Sequence, residues 1–93
     1  MIRSFRCRYT ERIWAGLTAA KFPPDIQQRA LSKLRLIDAA ATALDLRNPP
    51  GNRLEALRGD RRGQFSVRIN DQWRICFRWH DGDAVDVEIV DYH

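Results

Sequence analysis

The fold is decided by residues 65–80, which are Phe65-Ser66-Val67-Arg68-Ile69-Asn70-Asp71-Gln72-Trp73-Arg74-Ile75-Cys76-Phe77-Arg78-Trp79-His80. Apolar and polar side chains alternate along both halves of this stretch, which is the pattern of strands with one buried face. Asn70 and Asp71 lie between the halves, and residues of these types favour a tight turn. The stretch therefore predicts an antiparallel hairpin with Arg68 and Arg74 adjacent on its polar face.

A further strand is predicted near the end of the chain. Residues 81–83 are Asp-Gly-Asp, which favours a turn, and residues 85–90 again alternate between apolar and acidic side chains. The strand ends in Asp91, Tyr92 and His93, which carry a carboxylate, a phenol and an imidazole. In a simple meander these three groups come close to the two arginines of the hairpin. The alternative is a frayed chain end whose polar side chains lie in water.

Two helices are predicted before the sheet. Thr10 is a suitable N-cap for a short helix, and Asp25 followed by Gln28 matches the capping box of a longer one. The longer helix has an apolar stripe at intervals of three and four residues, which predicts its buried face. The stripe consists of Ile26, Ala30, Leu34, Ile37, Ala41 and Leu44.

The order of these elements predicts the fold class. Residues 2–6 and 54–57 have the pattern of short strands before and after the helices. The chain then has the order β-α-α-β-β-β-β and an α+β fold, with two N-terminal helices packed on one face of a curved, mainly antiparallel sheet. A length of 93 residues suits a single domain spanning residues 1–93. The other face of the sheet stays open for binding or catalysis.

Arginine dominates the charge of the chain. The formal net charge is +4, and of the 16 basic residues only Lys21 and Lys33 are lysines. Arginine is suited to bidentate recognition of phosphate and to stacking on bases, which favours a nucleic-acid partner. A genome rich in G and C, which favours arginine codons, is the alternative explanation.

Several classes of protein find no support in the sequence. No stretch is apolar enough to span a membrane, and the charged first residues do not form a signal peptide, so we expect a cytoplasmic protein without membrane contact. Cys7 and Cys76 form no zinc or redox motif; reduced thiols are the simplest account, and a disulfide between them stays open. Neither metal-ligand spacing nor a phosphate-binding glycine loop is present, so we expect neither a metal nor a cofactor.

The predicted hairpin and the last three residues together favour cleavage of RNA. Two adjacent arginines can clamp a phosphate, although ion pairs with Glu88 or Asp86 are the structural alternative. Strand scission needs a base for the 2′-hydroxyl, positive charge on the phosphate and an acid for the leaving 5′-oxygen. His93 is suited to acid or base work near neutral pH, and Tyr92 to proton donation or hydrogen bonding. Asp91 is expected to orient one of them or to accept a proton.

The sequence resembles the HigB-type toxins of the RelE/ParE superfamily, which are the growth-inhibiting halves of bacterial type II toxin–antitoxin pairs. The resemblance extends over nearly the whole chain. It is carried by four blocks in the same order, which are residues 1–5 (MIRSF), 48–57 (NPPGNRLEAL), 63–77 (GQFSVRINDQWRICF) and 87–93 (VEIVDYH).

The resemblance implies a RelE-like fold and a metal-independent mRNA endonuclease that acts in the ribosomal A site, with no cofactor. It further implies inhibition by a HigA-type antitoxin with a helix-turn-helix fold, through which the pair contacts operator DNA. The residues that match the family's reactive face are Arg68, Arg74, Asp91, Tyr92 and His93.

A basic surface is expected to dock the protein on ribosomal RNA. It consists of Arg29, Lys33, Arg53, Arg58, Arg61 and Arg62, and the resemblance places Arg58 in contact with RNA or ribosome. One position departs from the family, because some members have a histidine where this chain has Glu55. That departure shifts the expected proton transfer onto His93 and Tyr92, and it leaves a role for Glu55 open.

Two rival functions stay open at this point. The first is a ParE-like toxin that inhibits DNA gyrase by protein–protein contact and cleaves nothing. The second is a non-catalytic RNA- or ribosome-binding module, in which residues 91–93 are only the end of a strand.

Overall fold

Four strands form one antiparallel sheet in a computed structural model that describes residues 1–92. The strands follow one another in space as they do in sequence. They are β1 (Glu55–Ala56), β2 (Gln64–Arg68), β3 (Trp73–His80) and β4 (Asp83–Asp91). The hairpin predicted from residues 65–80 is confirmed, since Arg68 pairs with Arg74 across β2 and β3.

Two helices precede the sheet, α1 (Arg8–Trp14) and α2 (Pro24–Ala39). The first four members of the predicted apolar stripe, from Ile26 to Ile37, are buried in the core. The prediction for Ala41 and Leu44 is wrong, because both are exposed. The α-helix ends at Ala39, and a separate 3-10 helix (Ala43–Arg47) begins with a capping box of Thr42 and Asp45. The 3-10 helix turns Ala43 and Leu46 inward instead.

Both predicted helix starts are wrong by a few residues. The first helix begins at Arg8, so Thr10 lies inside it and is fully buried. The Thr10 hydroxyl instead accepts a hydrogen bond from the backbone N–H of Ile89 at 2.9 Å, which joins α1 to β4. The second helix begins at Pro24, where proline has no N–H to leave unsatisfied, and Asp25 makes no capping hydrogen bond.

The amino-terminal segment lies beside β4 but is not a regular strand. Ile2 and Phe5 make two isolated parallel bridges to β4, at Ala84 and Val87. Asp86 lies between these two bridges with a positive φ of 54°, and the β3–β4 register shifts at the same place. The predicted strand over residues 2–6 is therefore interrupted, because the bulge in β4 breaks the ladder that would continue it.

The hydrophobic core lies between the helices and one face of the sheet. Val67 and Ile69 from the first half of the hairpin, and Ile75 and Phe77 from the second, contribute to it. The prediction of an α+β fold with helices on one face of the sheet is confirmed. No helix within residues 1–92 has the length and apolar character needed to cross a membrane.

Candidate functional site

The face of the sheet opposite the helices, here called the polar face, holds Arg74 in a fixed orientation. Its side chain is only 9% exposed. Arg74 Nε donates to the Ser66 hydroxyl at 2.8 Å, and Nη2 donates to the carbonyl oxygen of Arg53 at 2.6 Å. The same Nη2 lies 3.7 Å from Glu55 Oε1. The charge of Arg74 is therefore preorganised by partners from β1, β2 and the loop before them.

Tyr92 folds back onto this arginine. The guanidinium carbon of Arg74 lies 5.4 Å from the centre of the Tyr92 ring, within the range of a cation–π contact. The backbone N–H of Tyr92 donates to the carbonyl oxygen of Gln72 at 2.6 Å, which attaches the end of the chain to the β2–β3 turn. The Tyr92 side chain is 38% exposed, so its ring is open to a ligand.

Arg68 is the direct cross-strand partner of Arg74 but has different surroundings. Its Nη2 donates to Asp71 Oδ1 at 2.5 Å, and its side chain is 30% exposed. The hydrogen bond from Arg68 lowers the pKa of Asp71 below its ordinary value. Because the Asp71 carboxylate is almost fully exposed, an incoming phosphate can replace it.

The predicted alternative, in which these arginines pair with Glu88 or Asp86, is wrong. Glu88 instead lies 3.4 Å from Arg6 Nε and 3.2 Å from Arg61 Nη2. Asp86 lies 4.0 Å from Arg78. Arg68 and Arg74 instead pair with Asp71 and Glu55, two carboxylates at the border of the candidate site.

Asp91 does not join the two arginines on the polar face. It pairs with Trp73 in the β3–β4 register, so its side chain leaves the sheet on the side of the helices. Asp91 Oδ2 accepts a hydrogen bond from Gln72 Nε2 at 3.1 Å. The carboxylate thus links the end of β4 to the β2–β3 turn, one residue before Tyr92. His93, the remaining predicted site residue, lies outside the described residues.

Two further residues belong to this site. Ser66 was not predicted to take part, and the role of Glu55 was left open. Ser66, fully buried, supplies the acceptor for Arg74 Nε, and Glu55 brings a half-exposed carboxylate to the same guanidinium. Glu55 pairs with Ser66 across β1 and β2, which places both on the polar face. The alternation of β2 carries a signal for Ser66, because it is two residues before Arg68. The position of Glu55 depends on the register of a two-residue strand, for which the sequence has no comparable signal.

The predicted docking residues on α2 border the site. Arg29 Nη1 donates to the carbonyl oxygen of Ile69 at 3.2 Å, and Lys33 Nζ donates to Asn52 Oδ1 at 2.5 Å. Both line a groove of about 430 Å³ together with Arg68. Burial, and then the charges of Arg29 and Arg68, lower the pKa of Lys33. These three cations therefore form a continuous positive edge beside the polar face.

The other predicted docking residues have unequal surroundings. Arg58 and Arg62 are exposed. Arg61 is half-buried and bonded to Gln64 Oε1 at 3.0 Å as well as to Glu88, so it is part of the packing of the sheet. Arg53 has a left-handed backbone, with a φ of 45°, and offers its carbonyl oxygen to Arg74 while its side chain is exposed. The structure thus leaves Arg53, Arg58 and Arg62 accessible to a partner.

The sequence matches a described protein family and is similar to known proteins. A profile of that family, described as the RelE-like toxin of type II toxin–antitoxin system HigB, matches residues 3–93. The chain is 45% identical over 64 residues to Toxin HigB-1 of Vibrio cholerae. These residues make up 69% of the chain and 67% of that toxin. It is 31% identical over 93 residues to Endoribonuclease HigB of Proteus vulgaris, and the match covers the full length of both chains.

A solved structure has the same fold. The YoeB–YefM complex from Staphylococcus aureus contains a chain that matches with a TM-score of 0.63 and 17% sequence identity. The match covers 100% of this chain and 98% of that chain. At this level of identity the likeness concerns the arrangement of helices and strands.

Proposed function

Because the chain belongs to the family of RelE-like HigB toxins of type II toxin–antitoxin systems, we propose that it is a ribosome-dependent endoribonuclease. It cleaves mRNA in the ribosomal A site and thereby inhibits translation and growth. The observation that carries this proposal is the convergence of Arg68, Arg74 and Tyr92 on the polar face. Positive charge held in place stabilises the transition state of phosphodiester cleavage, and the phenol beside it can donate a hydrogen bond there.

The two arginines neutralise the scissile phosphate. Arg74 supplies a charge that is oriented before the substrate arrives, and this avoids reorganisation during the reaction. Arg68 exchanges its exposed partner Asp71 for a phosphate oxygen. Together they stabilise the additional negative charge of the pentacovalent transition state.

The groups at the end of β4 move the protons. His93 is the acid or base, because its ordinary pKa lies close to neutral pH. Tyr92 donates a hydrogen bond to the phosphate or to the leaving 5′-oxygen, from its position over Arg74. Asp91 orients this end of the chain through Gln72. Glu55 is a second candidate for the base that takes the 2′-hydroxyl proton, since its carboxylate is half-exposed beside Arg74.

The ribosome provides the substrate in the correct geometry. The basic residues Arg29, Lys33, Arg53, Arg58, Arg61 and Arg62 dock the protein on ribosomal RNA, and Arg61 does so while retaining its contact with Glu88. Activity on RNA without ribosomes is therefore low.

The partners follow from the same proposal. A HigA-type antitoxin with a helix-turn-helix fold binds and inhibits the protein in the cytoplasm, and it connects the pair to operator DNA. The structurally similar YoeB was solved together with YefM, which supports an antitoxin partner.

The test is translation in a reconstituted system with purified protein, with the cuts in the message mapped by primer extension. Wild-type protein should cut within the codon in the A site, and His93→Ala should reduce the rate by about 10²-fold or more. Cleavage by His93→Ala at the wild-type rate would remove the assignment of His93. Inhibition of gyrase supercoiling with intact message would instead identify a ParE-like toxin, and ribosome binding without cuts would identify a binding module.

A further inference from the structure

A pocket of about 540 Å³ lies at the carboxyl end of β4, between this strand, the start of α1 and the segment before α2. We call it the β4-end pocket. Asp91 lies in its wall, and so does Trp73, its partner in the β3–β4 register. Trp73 is half-buried, and the Phe22 ring packs edge-on against it with centroids 5.6 Å apart. The pocket therefore has a rigid aromatic wall.

Among the described residues, cations outnumber carboxylates around this aromatic wall, with Arg6, Arg8 and Lys21 against Glu88 and Asp91. Arg6 is paired with Glu88, but Arg8 and Lys21 have no ion pair with a carboxylate among residues 1–92. Both instead lie against the ring of Tyr9, with the Arg8 guanidinium carbon 5.3 Å and Lys21 Nζ 5.1 Å from its centre. A hydrogen bond from Arg8 lowers the pKa of the Tyr9 hydroxyl. Two like charges gathered on one ring attract an anion into the pocket.

The combination of rings and cations identifies a class of ligand. Single-stranded nucleic acids bind to surfaces on which bases stack on aromatic side chains while cations contact the backbone. A peptide of aspartate and glutamate residues alone would use the cations and would leave the rings without a role. The chemistry of the pocket thus favours a nucleotide over a peptide.

The position of the pocket connects it to the proposed cleavage site. Asp91 and Tyr92 are consecutive residues, yet the first lines the pocket and the second lies over Arg74 on the opposite face. An RNA chain that crosses the end of β4 therefore contacts both faces of the sheet, one at Asp91 and the other at Tyr92.

We propose that the β4-end pocket binds a nucleotide of the message next to the cut, with its base against Trp73 and Tyr9 and its phosphate on Arg8 and Lys21. This inference rests on the proposed endoribonuclease function. It assigns the pocket a part in holding the substrate that is separate from the chemistry of Arg68, Arg74 and Tyr92.

The test is a titration of the full chain with a hexanucleotide in which every ribose is 2′-O-methylated, so that it cannot be cleaved. Two-dimensional amide spectra should show saturable shifts at Tyr9, Lys21 and Asp91. Lys21→Gln should weaken binding by about tenfold, since stacking and backbone contacts each contribute on that order. Arg35→Gln removes an equal charge from an exposed position of α2 and should leave the affinity unchanged.

A second pair of variants distinguishes the contribution of the Tyr9 ring to binding from that of its hydroxyl and from an effect of misfolding. Tyr9→Phe retains the ring and should bind the hexanucleotide like the wild type. Tyr9→Leu should bind about tenfold more weakly. Thermal unfolding of both variants shows whether the fold is intact. Because Lys21 is exposed, Lys21→Gln tests binding at the pocket without altering the ring.

Three results would overturn the inference. The first is equal affinity of Lys21→Gln and Arg35→Gln, and the second is no shift at the pocket on addition of the hexanucleotide. The third is saturation of the pocket by an acidic peptide and not by the RNA. Cleavage of ribosome-bound message is measured in parallel. Uncut message together with binding at the pocket would overturn the proposed function alone, while cut message without binding at the pocket would overturn this inference alone.

Discussion

Arg68 and Arg74 face each other across one hairpin, yet they are held in different ways. Arg74 is buried and bonded to Ser66, Arg53 and Glu55, whereas Arg68 is partly exposed and bonded to one solvated carboxylate. The same residue type, in directly paired positions, therefore serves as a fixed charge in one case and as an adaptable charge in the other. The difference comes from the partners within reach, since Ser66, Arg53 and Glu55 contact the guanidinium of Arg74 whereas Asp71 bonds to that of Arg68.

The largest effect is expected from Arg74→Met. The substitution leaves the Ser66 hydroxyl and the Arg53 carbonyl oxygen without their donor, and it removes the oriented charge. Cleavage should fall by about 10³-fold, and the free energy of unfolding by about 2–4 kcal/mol. Single-turnover cleavage on ribosomes and urea unfolding measure the two quantities. Arg78→Met, a more exposed arginine further along β3, is the matched control, and an equal loss of stability in both variants would contradict the account.

A smaller effect, confined to activity, is expected from Arg68→Met. Its partner Asp71 is solvated, so loss of the ion pair should leave the free energy of unfolding almost unchanged. Cleavage should still fall by about 10²-fold, because one of two charges on the phosphate is gone. The same two assays measure this, and a loss of stability as large as that of Arg74→Met would show that the two arginines are held alike.

The orientation of Arg74 can be weakened without removing its charge. Ser66→Ala deletes the acceptor of Arg74 Nε, which should reduce the free energy of unfolding by about 1–2 kcal/mol and cleavage by about tenfold. Ser66→Thr retains the hydroxyl and should recover most of the cleavage. A Ser66→Ala variant that cleaves at the wild-type rate would mean that the orientation of Arg74 is set elsewhere.

The smallest effect is expected from Asp71→Asn, and it depends on pH. The pKa of Asp71 is lowered in the folded state by the hydrogen bond from Arg68, relative to an ordinary value of 3.8. Its contribution to stability is therefore fully present above that ordinary value and is lost as the pH falls through the lower, folded pKa. The melting temperatures of wild type and Asp71→Asn should differ slightly at neutral pH and converge below pH 3.8. A difference that grows on acidification would have the wrong sign.

The sequence predicted those parts of the molecule in which local periodicity determines the result. The alternation over residues 65–80 was sufficient for the hairpin and for the pairing of Arg68 with Arg74. The same alternation places Asp91 in phase with Val87 and Ile89, which face the core. The side chains of Asp91 and Tyr92 therefore lie on opposite faces of the sheet, which the predicted site did not take into account.

Other features depend on contacts between distant residues and were not predictable. Thr10 looks like a helix cap, but its hydroxyl bonds to Ile89, 79 positions away. Glu55 reaches Arg74 only because a two-residue strand pairs with β2 in one register. In both cases a tertiary hydrogen bond or strand pairing decides the position, and local propensity carries no information about either.

The chemical ends of the cut message test the central claim most directly. Cleavage by the 2′-hydroxyl, assisted by groups on the polar face, should leave a 2′,3′-cyclic phosphate or 3′-phosphate on one fragment and a 5′-hydroxyl on the other. Message cut by wild-type protein on purified ribosomes can be analysed for both ends by enzymatic labelling and mass spectrometry. Fragments with a 3′-hydroxyl and a 5′-phosphate, or message left whole while translation stops, would contradict the account.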